Sequence, residues 1–383
     1  MPLRILIAPD KFKGTLTAHA AADAMARGWR AARPADTLSL LPMSDGGDGF
    51  GEIVSAALGA EPQTVKTVDA AHRPIEATWW WHAATRTAVI EAARANGLAQ
   101  LPRGKYHPFE LDTFGLGAVF KAARDLGTRC ALIGIGGSAT NDGGFGLARA
   151  LGWQFGNTHD EEITRWTGLH DLSVIRPPEV TRWFDELSVA VDVQNPLLGP
   201  TGCSRIYGPQ KGLKEFDLAE RSLERLVQVM KKELHIDCAS TPGAGAAGGL
   251  GYGLCAFAGG KLEPGFALFA SLTALDEKLR GIDLVLTGEG SIDASTLMGK
   301  GVGELADHCL ARQVPCIGLA GVVPDATQAR TKFAATHALT PEFTTVEQAM
   351  SEPAVWLERL ATRAAAEWRE GMTNDQCPMP NAQ

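Results

Sequence analysis

No apolar run in this 383-residue chain approaches the roughly 18 residues that a membrane-spanning helix requires. The opening LRILIAP is too short, and too soon followed by charge, to read as a secretory leader. Seven cysteines, at 130, 203, 238, 255, 309, 316 and 377, are odd in number and contain no C-x-x-C pair. They read as reduced thiols, and the chain as cytoplasmic. Nine histidines show neither H-x-x-x-H nor H-x-H spacing, which argues against zinc. Positive charge is also in deficit: 36 Lys and Arg face 44 Asp and Glu, a formal net charge of −8. That balance argues against a nucleic-acid surface, although one local pocket can still hold a small anion. A Walker A loop is missing too, because Gly290 lies too far from Gly299-Lys300 and no Ser or Thr follows Lys300.

What is present is ample apolar content, 45% of residues, enough for a large core and for two domains. The order of elements is α/β. Leu3 to Ala8 reads as a buried strand, followed by a helix from Ala18 to Ala32 with Ala21, Ala22, Met25, Ala26 and Trp29 on one face. Near the other end, Asp283 to Thr287 and Pro315 to Ala320 read as parallel strands flanking a helix over Val302 to Ala311. Between them the pattern gives a hairpin over Glu76 to Glu91, a helix from Thr113 to Gly127, strands Cys130 to Ile135 and Leu187 to Val193, and a helix over Asp217 to Leu234. The expected organisation is two dissimilar α/β domains, the second inserted into the first. Residues 1–70 and 282–375 would form a terminal domain, 71–281 the insert and 376–383 a flexible tail.

Five loops have the composition of binding sites. In Ile133 to Gly146, IGIGGSATNDGGFG, a strand breaks into six glycines among Ser138, Thr140, Asn141 and Asp142 before a helix. Converging amides and a helix N-terminus suit an anion; a glycine-rich connection with satisfied caps is the plainer reading. APDKFKGT places Asp10, Lys11 and Lys13 after the first strand, and MSDGGDGFG places Asp45, Gly46, Gly47 and Asp48 before a helix. PGAGAAGGLGYG carries Gly243, Gly245 and Gly248, whose amides must lie close to a ligand or to another chain segment. GEGSIDASTLMGK places Glu289, Asp293 and Lys300 after a strand. Each acid is also compatible with a helix cap or turn. The G-x-G-x-x-G match at Gly243, Gly245 and Gly248 follows the polar HIDCASTP rather than a strand, and the looser one at Gly134, Gly136 and Ala139 has no convincing acidic strand end beyond it. Neither supports a dinucleotide site.

Taken in order, APDKFKGTLTA, MSDGGDG, TFGLG, IGIGGSATNDGGFG, VDVQNPLLGP with YGPQKG, PGAGAAGGLG and LTGEGSID with a later GK resemble the bacterial glycerate kinase family over nearly the whole chain. The resemblance implies two α/β domains with the site in the cleft between them. It also implies ATP- and Mg2+-dependent phosphorylation of D-glycerate, usually to 2-phospho-D-glycerate. A related hydroxy acid, a 3-phosphoglycerate product or a nucleotide-dependent ligand sensor are the alternatives. Lys11, Gly14, Phe114, Gln194, Ser291, Ser295 and Met298 depart from the family pattern. The loss of an arginine at 291 matters most, since serine cannot reproduce its two-pronged grip on a carboxylate or phosphate.

Phosphoryl transfer needs phosphate charge neutralised, an acceptor hydroxyl in line and a carboxylate to orient it. Lys13 and Lys211, with Lys300, are the candidate cations. The nucleotide cradle is assigned to Gly136, Gly137, Ser138, Thr140, Asn141, Asp142, Gly243, Gly245 and Gly248. Asp10, Lys11, Gly46, Gly47, Asn195, Asp293 and Lys300 are assigned to the substrate, and Asp192 and Glu289 to the metal. Asp192, ending a strand beside Asn195, is the first choice as base or metal partner, with Asp45 as a further catalytic carboxylate. An Asp capping the turn before Pro196 is the alternative. The Trp79–Trp81 run, His107 and the helix over Pro353 to Trp368 read as packing or solvated loop. Small-molecule substrate, no nucleic acid, no membrane, and a monomer or homodimer complete the expectation, with a cleft that closes on both substrates.

Overall fold

The computed structural model describes residues 2–12 and 14–368. The chain divides into two compact units, one from residues 1–44 and 269–383 and the other from Asp45–Leu268. The expected boundaries near 70 and 281 are thereby corrected. Strand Glu61–Val68 pairs antiparallel with Pro74–His82 along its length, from Glu61 opposite Trp81 to Val68 opposite Pro74. Helix Phe50–Leu58 seats Phe50 against Gly134 of the same sheet. At the other boundary, Asp276 bonds His308 at 2.9 Å and Arg312 at 2.7 Å, tying the segment after Leu268 to helix Gly301–Ala311. Such pairings are long-range and leave no local trace. The expected tail over 376–383 lies outside the described residues.

The terminal unit is a five-stranded parallel sheet in the order 335–338, 316–322, 284–291, 4–7, 37–40. Its core joins Ile5, Ile7, Leu284, Leu286, Ile317 and Leu319 to the inner faces of helices Ala18–Ala32 and Pro353–Glu367. Thr17 caps the first helix by accepting from the Ala20 N–H. The last helix returns to pack on the first, and Gly28 is the contact point: a Cβ there would stand 2.1 Å from the Glu358 carbonyl oxygen. Thr362 Oγ1 donates to the Gly28 carbonyl at 3.0 Å, so the two ends of the chain close one core. The stripe of Leu357, Leu360, Ala361 and Ala364 is buried packing.

The middle unit is built on a six-stranded mixed sheet in the order 261–264, 186–191, 130–134, 87–91, 74–82, 61–68. The first four strands run parallel, so Val191, Gly134 and Glu91 end at one edge. The Trp run is structural, as its alternation demands: Trp79 lies in the main core and Trp80 presses its ring against Gly51 of helix Phe50–Leu58. Gly28→Ala should destabilise the protein by about 1–3 kcal/mol through overpacking of the two helices. Calorimetry should then show a Tm lower by several degrees.

Candidate functional site

In the middle unit the 133–146 segment leaves strand Cys130–Gly134 and enters helix Phe145–Ala150. Most of its polar groups turn inward. Asp142 is fully buried, and its carboxylate accepts from the Thr113 N–H (2.9 Å), the Thr113 hydroxyl (2.7 Å) and the N–H groups of Gly146 (2.9 Å) and Gly144 (3.3 Å). Burial, reinforced by nearby Asp112, pushes its pKa up to about 6. Asp142 thus braces the loop from within, correcting its assignment to the nucleotide. Several amides are taken up as well: Gly136 N–H bonds the Gly46 carbonyl, Ala139 the Asn96 carbonyl, Thr140 the Ser138 hydroxyl and Gly143 the Gly248 carbonyl. The tip formed by exposed Gly137 and buried Ser138 is the part of the cradle that fits a ligand best. The Asp48 carboxylate lies over Gly137.

The second glycine stretch meets protein, not open space. A Cβ on Gly248, whose φ is +71°, would stand 1.9 Å from the Thr140 carbonyl oxygen, and one on Gly245 would stand 2.2 Å from that of Pro196. Left-handed Ala247, Gly248 and Gly249 interrupt the helical run, so these residues form a backbone wedge against the first loop. Of the alternatives for Gly243, Gly245 and Gly248, the neighbouring chain segment is the one observed.

Lys211 is where a candidate cation meets the first loop. It closes a 3-10 turn Pro209–Lys211, is half-buried, and its Nζ donates to the Thr140 carbonyl at 2.5 Å, across 71 residues of sequence. Burial pulls its pKa down to about 8, against the opposing pull of Cys203 and Asp142. Ser204, on the preceding helix Cys203–Tyr207, accepts from Asn141 Nδ2 at 3.0 Å. Tyr207 donates to Asn195 Oδ1 at 2.5 Å, and Asn195 Nδ2 donates to the Thr201 carbonyl at 2.8 Å. Asn195 therefore orders its own turn, a correction to its assignment as a substrate ligand. Asp192, just past strand Glu186–Val191, is exposed. Asp45, Gly46 and Gly47 sit where Gly46 touches the Ala190 backbone and Gly47 touches Gly136.

The terminal unit presents its own loops at the ends of parallel strands. Asp10 N–H bonds the Gly288 carbonyl at 2.9 Å, and Lys11 N–H bonds Asp10 Oδ1 at 2.7 Å. Glu289 accepts from the Thr296 hydroxyl at 2.6 Å. Asp293 caps the short helix Ala294–Leu297, accepting from the Ser295 N–H and hydroxyl and from the Ser291 hydroxyl. These bonds, the Ser295 hydroxyl foremost, hold its pKa below the usual carboxylate range. The cap reading thus applies to Asp293, and its assignment to substrate is corrected. Lys300 is exposed at the N-terminus of helix Gly301–Ala311, and Lys13 lies outside the described residues. Sequence reasoning missed Glu91, Thr113, Ser204 and Tyr207. Of these, Thr113 and Tyr207 left a trace within TFGLG and YGPQKG, and Glu91 did so as an acid ending the apolar strand Thr87–Glu91.

A family model described as the glycerate kinase family matches residues 5–369. The curated glycerate kinase of Halalkalibacterium halodurans is 38% identical over 368 residues, covering 94% of this chain and 97% of that relative. The glycerate 2-kinase of Escherichia coli K12 is 37% identical over 331 residues, covering 84% and 86%. A crystal structure assigned to glycerate kinase 2 from Salmonella typhimurium LT2 superposes with a TM-score of 0.80 at 32% identity, covering 96% of this chain and 98% of that one.

An anion bound beside Lys211 should restore the charge that burial suppresses, raising its pKa above about 8. At pH 9 the free lysine is mostly neutral, so binding of a phosphate-bearing anion beside it should take up protons and weaken as pH rises further. Calorimetry in two buffers of different ionisation enthalpy should show this uptake, and Lys211→Met should abolish it.

Proposed function

The chain belongs to the glycerate kinase family and is a phosphotransferase; from that premise we propose that it transfers the γ-phosphoryl group of ATP to the 2-hydroxyl of D-glycerate, with Mg2+, in the cytoplasm. The 2-position follows the Escherichia coli relative, which is named a glycerate 2-kinase. The observation that carries the reading is Lys211 Nζ drawn onto the Thr140 carbonyl of the glycine-rich loop. A lysine partly stripped of water at a loop of small residues is suited to phosphate oxygens, because a bound anion supplies the compensation that burial withholds.

In this reading the Gly137–Ser138 tip and Lys211 hold phosphate oxygens and draw off charge as the bond to the leaving oxygen lengthens. Asp192 orients the acceptor hydroxyl and receives its proton. Among the described residues no group of three or more His, Cys, Asp or Glu side chains is arranged to hold a metal. Magnesium fits regardless, since it is commonly held by one or two carboxylates with the substrate phosphates. Exposed Asp192 is the carboxylate of the middle unit that would hold it, through one oxygen, leaving the other for the acceptor hydroxyl. The chemistry magnesium would supply there is positive charge that offsets the negative charge of the phosphate.

Phosphorus NMR of a reaction with Mg-ATP and D-glycerate should show 2-phosphoglycerate and ADP. A 3-phosphoglycerate resonance would reassign the acceptor, and ADP appearing without added hydroxy acid would argue against glycerate as the partner. Asp192→Asn keeps shape but removes charge. It should lower kcat at least about a hundredfold while KM for ATP stays within a few fold. Near-normal turnover would transfer the role to another carboxylate, Asp45 first.

A further inference from the structure

Glu91 ends strand Thr87–Glu91, paired in register with Gly134 where the glycine-rich loop begins. Its side chain is only 5% exposed. One carboxylate oxygen accepts from the Gly49 N–H at 3.2 Å and the other from the Gly51 N–H at 3.0 Å. Arg94 Nε stands 3.6 Å from the first oxygen, while the other end of that guanidinium bonds Glu52 at 2.7 Å and its carbon lies 5.7 Å from the Trp80 ring centre. Burial raises the Glu91 pKa, opposed by Arg94 and by the two amides.

The expense of burying an acid is informative, because an apolar side chain at this strand end would fill the space without desolvating a charge. A carboxylate offers what an apolar group cannot: two acceptors on one rigid plane, satisfying two donors at the start of helix Phe50–Leu58. Those donors close the 45–49 turn. That turn in turn bonds the glycine-rich loop, through the Gly46 carbonyl to the Gly136 N–H, and carries Asp48 over Gly137. The segment after Glu91 grips the same loop from its other side: Ala92 N–H bonds the Gly134 carbonyl, Leu98 N–H that of Gly137, and Ala139 N–H that of Asn96. Glu91 is thus the point at which one strand end fixes both loops.

We propose that Glu91 is a positioning residue for phosphoryl transfer, clamping the Asp45–Gly51 turn against the 136–139 loop through the amides of Gly49 and Gly51. This rests on the kinase reading above for its catalytic consequence, whereas the clamp itself is a property of the fold. Glu91→Gln is nearly isosteric but sets an NH2 group against one of the two N–H donors. Hydrogen exchange at Gly49–Gly51 should accelerate at least about tenfold, and kcat should fall at least about tenfold, with exchange in strand Leu284–Ser291 of the other unit unchanged. KM for ATP should stay within about threefold, a split that general unfolding does not produce. Arg94→Met leaves both amide bonds in place and should cost kcat far less.

Faster exchange with kcat within twofold of wild type would overturn the positioning role, and unchanged exchange would overturn the clamp. A loss in Arg94→Met equal to that in Glu91→Gln would overturn it too, by assigning the effect to the ion pair. Should Glu91→Gln not fold, wild-type exchange at Gly49 and Gly51 as fast as in an open loop would overturn it, and strong protection would support it. If the wild-type protein does not phosphorylate D-glycerate, the reaction assigned above fails, while the exchange measurements still decide the clamp.

Discussion

Gly248 can approach the Thr140 carbonyl because it has no side chain, and the architecture of the candidate site in the middle unit follows from that closeness. Any Cβ there would overlap the carbonyl oxygen at 1.9 Å, and the same exclusion operates where Gly253 meets Gly144 at 2.5 Å. Two glycine-rich loops are therefore packed backbone to backbone, with the Gly143 N–H bonded to the Gly248 carbonyl. The Thr140 carbonyl also receives Lys211 Nζ. The wedge that sterically fixes the loop consequently fixes the acceptor that positions its cation. Loss of side-chain volume in one segment has become precision in another.

Rigidity of this kind requires that buried polar groups be answered from within. Asp142 shows how: four donors surround its carboxylate, and two belong to Thr113, whose hydroxyl also accepts from the Leu147 N–H. The raised pKa of Asp142 shows that these bonds do not fully offset desolvation and the nearby Asp112 charge. With the folded pKa above the unfolded one, the folded state takes up the proton more readily. This group's contribution to stability is fully present below about pH 4 and is lost as pH rises through about 6. At neutral pH the loop retains an internal electrostatic cost, offset by the surrounding core.

Much of this was legible before any coordinates. Strand and helix periodicity placed most elements within a few residues, since buried parallel strands such as Leu284–Ser291 and amphipathic helices such as Ala18–Ala32 carry strong local patterns. The loops at strand ends were legible for the same reason. What composition does not encode is the direction in which a polar loop residue points. Asp142, Asn195 and Asp293 have the chemistry of ligands, yet each bonds its own backbone or neighbouring hydroxyls. Lys211 was found because glycines flank it; Glu91 was passed over because a single acid at the end of an apolar strand resembles an ordinary strand exit. The unit boundaries escaped because strand Glu61–Val68 declares its partner only through pairing.

Ser291 and Ser295 show how a departure from the family pattern is absorbed. Ser291 stands where the resemblance leads to the expectation of an arginine, and its hydroxyl and that of Ser295 satisfy Asp293 through bonds of 3.1 and 2.7 Å. Hydroxyls can steady a carboxylate without neutralising it, whereas an arginine steadies it by contributing a full opposite charge. Asp293 accordingly keeps its negative charge to a lower pH than an unassisted aspartate. In the 291–296 turn the Thr296 hydroxyl reaches back to Glu289 and Asp293 caps the helix by accepting from the Ser295 N–H. The turn carries no positive side chain at 291, so the two serine hydroxyls hold Asp293 in place without supplying an opposite charge.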